Sequence, residues 1–200
     1  MNITPNERQI DALKELINIG VGRGASVLNT MLESHIVLQV PFLQVISYND
    51  LKDEITRHGG EWLATVEMGF KGNFTGSSQL IFSTESASKL VAAMVGEDPV
   101  DLDMDEIRGG TLCEVGNIVL NGVMGSISNM LKFDFSYSVP NFLEENVENL
   151  FAPDEKKAEM SILLARTSFQ VERLSIDGDV ILFFEVASLK ILLDSIDSLL

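Results

Sequence analysis

The sequence predicts an α+β fold in which long helices are layered on one mainly antiparallel sheet. Two long segments, 6–33 and 106–131, place apolar residues at helical spacing, and strand-like segments and a shorter helix follow each of them. Three residue types recur 99 positions later, as the pairs Glu15 and Glu114, Asn18 and Asn117, and Pro41 and Pro140. This duplication predicts a single pseudo-twofold domain over residues 1–200, with half-repeats of about 1–100 and 101–200.

The first half-repeat is predicted as a long helix, an extended stretch, two paired strands and a short helix. Thr4 is the expected N-cap of the long helix, with Pro5 at its first position and Glu7 three residues after Thr4. Pro41 interrupts the extended stretch, and Gly96 ends the short helix. The predicted bounds after the long helix are 36–47, then 61–70 and 76–84 joined by a turn at 71–76, then 85–96.

The second half-repeat follows the same order after an acidic linker at 97–106. Its long helix is followed by a stretch that ends in Pro140, a charged loop, two strands and a closing amphipathic helix. The predicted bounds are 133–140 for the stretch, 144–159 for the loop, 160–171 and 179–186 for the strands with a turn at 175–179, and 187–200 for the helix.

The composition describes an acidic globular protein. The chain is 46% apolar and 22% charged, with a formal net charge of −16, which argues for a folded core and against nucleic acid or anionic lipid as partners. Cys113 is the single cysteine, which is typical of a reducing compartment. No signal-peptide pattern and no apolar run of membrane-spanning length occur, so we expect a cytoplasmic protein without membrane insertion.

The glycines at positions 20, 22 and 24 raise the question of a dinucleotide site. Gly20-x-Gly22-x-x-Ala25 imitates the fingerprint of such sites, which requires a buried strand before it and an acidic residue about 20 positions later. The preceding residues have helical period, and the expected acidic position offers Gln39, Val40 and Gln44. We therefore expect a helix here, in which Gly20 and Gly24 permit close packing.

One face of each long helix carries a carboxylate one turn before an amide. At 100° per residue these side chains share a stripe, and a small-residue notch follows the amide in the first copy. Both copies repeat the Glu-x-x-Asn pair, which a core pattern alone does not require. The first stripe is Asp11, Glu15, Asn18, Gly22, Ala25 and Asn29, and the second is Gly110, Glu114, Asn117, Asn121, Met124 and Ser128.

This pattern resembles the signature of the CheC-like phosphatases of bacterial chemotaxis (the CheC/CheX/FliY type), [Asp/Ser]-x3-Glu-x2-Asn-x22-Pro. Asp11, Glu15, Asn18 and Pro41 match it at every position. The second copy matches from Glu114 onwards but has Gly110 where Asp or Ser is expected, a departure that predicts a weakened second site or a helix that starts differently. The resemblance covers essentially the whole chain, because the strands and short helices follow each motif in the family's order.

The resemblance implies hydrolysis of the aspartyl phosphate on a CheY-type response regulator. Asn18 and Asn117 would each enter the regulator's active site and orient the attacking water, while Glu15 and Glu114 would pair with a regulator lysine. Asp11 and Gly22 would adjoin the bound regulator, Gly22 because a side chain there would obstruct its active site. The regulator would supply Mg²⁺, so no cofactor and no metal site is expected in this chain.

Other interpretations remain open from the sequence. The chain could be a non-catalytic binding module of the chemotaxis or flagellar switch system, which binds a response regulator or a CheD-type deamidase. The intact Glu-x-x-Asn pairs favour the enzyme, as does our expectation that the chain has neither an N-terminal peptide extension nor a C-terminal surface-presentation-type domain. For Glu15 and Asn18, the alternative to a functional role is an ordinary solvated helix face. For Pro41 and Pro140 we prefer the structural interpretation, in which each proline breaks or edges a strand.

Two further features are assigned no chemistry. Cys113 is interpreted as a small hydrophobic residue on the apolar side of its helix rather than a nucleophile. The segment 101–106 imitates the start of a calcium loop, but Glu106 stands where the turn glycine belongs and Leu112 where the last glutamate ligand belongs. A solvated linker is the expected structure.

Overall fold

A computed structural model describes residues 4–32, 35–59, 61–96, 104–152, 159–171 and 174–199. Within these ranges, six helices pack on a seven-stranded, mostly antiparallel sheet. The predicted α+β fold is therefore confirmed. The helices are α1 Glu7–Leu32, α2 Tyr48–Gly59, α3 Thr84–Val95, α4 Met104–Leu131, α5 Val147–Leu150 and α6 Val186–Asp197. The strands are β1 Ile36–Ile46, β2 Trp62–Gly72, β3 Thr75–Ser83, β4 Phe135–Tyr137, β5 Asn141–Asn146, β6 Met160–Val171 and β7 Leu174–Glu185.

The sheet interleaves strands from the two half-repeats. Its order is β1-β6-β7-β3-β2-β4, and β5 also pairs with β2. Strand β1 of the first half thus pairs with β6 of the second half, β2 pairs with β4 and β5, and β3 and β7 join the halves at the centre. The pairing of β3 with β7 is the same when viewed from either half. Gly76 of β3 lies opposite Phe184 of β7, and Gly178 of β7 lies opposite Phe82 of β3. The division into half-repeats at about residue 100 nonetheless stays a prediction, because residues 97–103 lie outside the described ranges.

The helices lie on both faces of this sheet. The larger core lies beneath α1, α3, α4 and α6, with apolar side chains of both long helices buried against one face of the sheet. A smaller core on the other face is formed by α2, α5 and the residue after α5, through Tyr48, Leu51, Ile55, Val147 and Phe151. Both long helices therefore have one buried face and leave the opposite face available for a site.

Most of the predicted elements are observed, and some of their ends differ. The first helix starts at Glu7, and Thr4 is not its cap. Instead, the Asn6 side chain accepts from the Gln9 backbone N–H at 3.0 Å while Gln9 Oε1 accepts from the Asn6 N–H at 2.9 Å. This reciprocal pair satisfies two donors of the first turn, which explains why the helix begins there.

Two predicted irregular segments were wrong. The stretch 175–179 belongs to strand β7, because it pairs with β6. Gly178 does not make a turn there; its missing side chain leaves room for the Phe82 ring. Part of the predicted charged loop is the end of β5 and the short helix α5, whose N-cap Asn146 accepts from the Glu148 N–H. Helix α2 was not predicted. The predicted linker at 97–106 and the calcium-like segment lie largely outside the described residues.

Candidate functional site

The first candidate site lies on the solvent-facing side of α1. Glu15 and Asp11 are exposed, Asn18 is half-buried, and Gly22 is exposed, with open space for 4 Å around the place where a Cβ would lie. The opposite side of the helix is fully buried, through Leu13, Ile17 and Val21. Since residues three and four apart share a face, burial of that apolar side turns the carboxylates and the amide outward together.

Asn18 is docked against the edge strand β1. Its Oδ1 accepts a 2.9 Å hydrogen bond from the backbone N–H of Val40, the residue before Pro41. One turn earlier, Lys14 Nζ donates to the Pro41 carbonyl at 2.9 Å. The 22-residue spacing between Asn18 and Pro41 is thus the length of chain that returns β1 to the side of α1.

Pro41 lies where the register of β1 is irregular. The register of β1 against β6 shifts between Gln39 and Phe42, where Pro41 lacks an N–H to donate. β1 is also the outer strand of the sheet, and Pro140 directly precedes β5 on the other side of it. The prediction that these prolines break or edge a strand is confirmed.

The second candidate site lies on α4 and has different contacts. Glu114 and Gly110 are exposed and Asn117 is half-buried, as at the first site. Here, however, Asn117 Oδ1 accepts from Asn121 Nδ2 at 2.7 Å, and the same nitrogen donates to the Asn117 backbone carbonyl at 2.8 Å. The amide is therefore held along its own helix, whereas Asn18 is held by a neighbouring strand.

Cys113 occupies the position that Lys14 has in the first copy. Its Sγ lies 4.0 Å from the Pro140 carbonyl, just as Lys14 contacts the Pro41 carbonyl. Burial, partly offset by the backbone of Phe142, raises the pKa of the Cys113 thiol. A thiol that stays protonated is a poor nucleophile, which agrees with its interpretation as a packing residue.

The two long helices cross antiparallel at glycines, as the sequence predicts for Gly20 and Gly24. A Cβ on Gly20 would lie 2.5 Å from Val123 Cα, and one on Gly24 would lie 3.3 Å from Val119 Cα. The two contacts are equivalent under the 99-residue offset, because Gly20 corresponds to Val119 and Gly24 corresponds to Val123. Asn18 and Asn117 each precede this crossing by about one turn in their own helix, so the two candidate sites lie on opposite sides of it.

The predicted stripes do not stay on the surface throughout. Ala25 and Met124 are buried members of the main core, so each exposed surface ends near residue 22 or 121. Asn29, further along α1, accepts from the backbone N–H of Ile36 and so also binds α1 to β1. The site residues on each helix are thereby limited to about three turns.

The electrostatics leave the two glutamates available. Neither Glu15 nor Glu114 forms a salt bridge with any described residue. Within the same ranges no group of three or more His, Cys, Asp or Glu side chains is arranged to hold a metal ion. Each site therefore presents an exposed carboxylate one turn before a half-buried amide.

Sequence reasoning missed the residues that hold the two amides. Val40 contributes a backbone N–H, which no side-chain pattern reveals. Asn121 lies on the predicted stripe, but its bond to Asn117 depends on the side-chain conformation. The 99-residue offset does offer one signal, since it aligns Asn121 with Gly22 and marks where the copies differ.

Comparison with known proteins identifies relatives along the whole chain. The family described as chemotaxis phosphatase CheX matches residues 64–162, which include the second Glu-x-x-Asn pair. The CheY-P phosphatase CheC of Bacillus subtilis (strain 168) is 30% identical over 139 residues, 67% of this chain and 65% of CheC. The flagellar motor switch phosphatase FliY of the same organism is 24% identical over 197 residues, 96% of this chain and 50% of FliY.

The chain belongs to the CheC/CheX/FliY-type family. It spans 65% of the length of CheC and 50% of the length of FliY. Among the residues that the structure describes, no helix is long and apolar enough to cross a membrane.

Solved structures of this family share the fold. The crystal structure of Thermotoga maritima FliY matches with a TM-score of 0.77 at 17% identity, over 98% of this chain and 99% of that one. The CheX of the Borrelia burgdorferi CheX–CheY–BeF3–Mg²⁺ complex matches with a TM-score of 0.54 at 20% identity, over 86% and 99%. At such identities the likeness concerns the fold.

Proposed function

We propose that this chain hydrolyses the aspartyl phosphate of a CheY-type response regulator in chemotaxis signalling. The observation that carries the proposal is the repeated surface pair, Glu15 with Asn18 and Glu114 with Asn117. In each pair an exposed carboxylate without a described salt-bridge partner lies one turn before a half-buried amide. A duplicated pair of this kind on the outer face of two long helices suits insertion into a partner's cleft.

The amide contributes position and not charge. In-line attack of water on phosphorus breaks the bond to the aspartyl oxygen, and an acyl phosphate already has a good leaving group. A carboxamide oxygen has two lone pairs, so Asn18 can keep its bond from Val40 and still accept from water. Being neutral, it adds no repulsion to the phosphoryl oxygens.

Glu15 and Glu114 are assigned to recognition. Each would pair with a lysine of the regulator, which fixes the register of the complex and draws that lysine away from the phosphate. The regulator's carboxylates would hold Mg²⁺, so this chain needs no metal or cofactor of its own. Asp11 and Gly22 would border the bound regulator, and a cytoplasmic location follows as part of the proposal.

The comparisons support this assignment by analogy. One relative is named a CheY-P phosphatase, another a flagellar motor switch phosphatase, and a structurally similar CheX forms a complex with CheY, BeF3 and Mg²⁺. These properties are those of the relatives, and they come to this chain through the shared family and the matching residues of its two sites.

Loss of phosphate from a phosphorylated CheY-type regulator with Mg²⁺ tests the proposal. Asn18→Ala combined with Asn117→Ala is expected to lower the rate about 100-fold, toward the regulator's own rate, because the water is no longer oriented. Asn29→Ala is the matched control, since it also removes a bond from α1 to a β1 backbone N–H but lies beyond the exposed site. A double variant as fast as the unaltered protein would refute the mechanism.

A binding module without catalysis is the second candidate. The observation in its favour is that Asn18 has a structural task, the docking of β1, which a non-catalytic relative would also need. On this alternative the protein binds the regulator or a CheD-type deamidase, and the regulator's phosphate is lost at the same rate with or without it. The same assay separates the two candidates.

A further inference from the structure

The two sites differ most one turn beyond the asparagine. Gly22 holds this place in α1, and Asn121 holds it in α4, 99 residues later. The space beside Gly22 is open for 4 Å around a Cβ position. The space beside Asn117 contains the Asn121 side chain, whose nitrogen donates to both oxygens of Asn117, the amide and the backbone carbonyl.

The partner strand shows the complementary difference. At the first site, the Val40 N–H donates to Asn18 and the Val40 side chain is buried. Its counterpart Val139 is 86% exposed, and among the described residues its N–H makes no bond to Asn117. Asn121 therefore replaces the strand as the partner of the amide oxygen, and it turns that oxygen along α4.

We propose that Asn121 is a positioning residue that restrains Asn117 and makes the second site slower than the first. This inference rests on the proposed function. Asn117, like Asn18, keeps a second lone pair for water, but Asn121 turns this oxygen along α4 and occupies the approach that Gly22 leaves free. Asn117 must therefore break the Asn121 bond and rotate before it can orient water in a regulator's cleft. Breaking one hydrogen bond of this kind is expected to slow the site about 3- to 10-fold.

The rate of each site can be measured separately in a variant that lacks the asparagine of the other site. In a chain with Asn18→Ala, only the second site remains, and adding Asn121→Ala is expected to raise kcat of phosphate release about 3- to 10-fold. Asn121→Gly, which copies the first site, is expected to act in the same direction. Alanine is the better helix former, so the first of these variants keeps α4 stable.

The reciprocal change tests the same contact on α1. In a chain with Asn117→Ala, only the first site remains, and Gly22→Asn is expected to lower kcat by a similar factor. Nothing lies within 4 Å of a Cβ at position 22, so the new side chain starts in open space. Gly22→Ala is the matched control, because its methyl group cannot donate to Asn18. Because any side chain at position 22 also borders the bound regulator, the two variants are compared with each other: kcat of Gly22→Asn is expected to fall below that of Gly22→Ala, and the difference measures the added hydrogen bond.

The action of Asn121 through Asn117 has its own control. With Asn117→Ala present, Asn121→Ala is expected to leave the rate of the first site unchanged, since the pair to be released no longer exists. Equal rates for Asn18→Ala with and without Asn121→Ala would overturn the inference while leaving the proposed function intact. If the unaltered protein releases no phosphate beyond the regulator's own rate, it is the proposed function that fails.

Discussion

At the residue scale, each proposed site depends on how one amide is held. Asn18 is oriented by a backbone N–H from β1, and Asn117 is oriented by a side chain of its own helix. The Glu-x-x-Asn spacing, which is visible in the sequence, determines that carboxylate and amide share a face. The hydrogen-bond partner of each amide was not predictable, because it comes from a residue 22 positions away or from a side-chain rotamer.

The first prediction concerns the carboxylates. Glu15→Gln with Glu114→Gln is expected to lower kcat/KM for a phosphorylated CheY-type regulator about two- to fivefold, because each change removes an exposed pair with the regulator's lysine. Rates of phosphate release at several regulator concentrations measure the effect.

The control for this change removes a negative charge elsewhere. Glu85→Gln on α3 is suitable, since Glu85 is exposed and pairs only with Lys89 one turn away among the described contacts. Its kcat/KM should equal that of the unaltered protein. An equal loss in both variants would mean that overall charge, and not the site, governs the encounter.

At the element scale, the crossing of α1 and α4 decides where the two sites lie. Glycine at position 20 brings the backbones together, and the carbonyl of Gly122 would lie only 2.7 Å from a Cβ there. Helical period predicted both helices. It did not predict α2, a 12-residue helix in a mostly polar segment, or the strand at 175–179, where Gly178 is a packing glycine in a position that resembles a turn.

The second prediction concerns this crossing. Gly20→Ala is expected to lower the free energy of unfolding by about 1–3 kcal/mol, because the new methyl group meets backbone atoms of α4 that must move away. Gly22→Ala, two residues on and in open space, is expected to raise it by up to about 1 kcal/mol through helix propensity. Urea unfolding measures both values, and a Gly20→Ala protein as stable as the unaltered chain would contradict the close crossing.

At the scale of the whole molecule, the interleaved sheet makes each half complete only with the other. β6 and β7 of the second half separate β1 from β2 and β3, and β2 and β3 of the first half separate β4 and β5 from β6 and β7. Both faces of the sheet also carry a core to which both halves contribute. The prediction of a single domain can therefore be tested by measuring whether both halves unfold together.

The third prediction is that one cooperative transition unfolds both halves. Trp62, the single tryptophan, lies in β2 of the first half, and Leu163 is fully buried in β6 of the second. Leu163→Ala is expected to destabilise the protein by about 2–5 kcal/mol and to shift the Trp62 fluorescence transition as far as the circular dichroism transition. Val139→Ala, at an exposed position, serves as control; an unmoved Trp62 transition in the Leu163 variant would indicate two independent units.

The sequence by itself determined the duplication, both long helices and the two Glu-x-x-Asn pairs, because these depend on local period and on a constant offset. Only the tertiary structure decided that the halves exchange strands, that Val40 holds Asn18, and that Asn121 holds Asn117. Strand exchange and the Val40 bond join residues far apart in the chain, and the Asn121 bond depends on a rotamer. Neither kind of contact produces a periodic pattern in the sequence. Both depend on how distant parts of the chain come together in the fold and on how their side chains then pack.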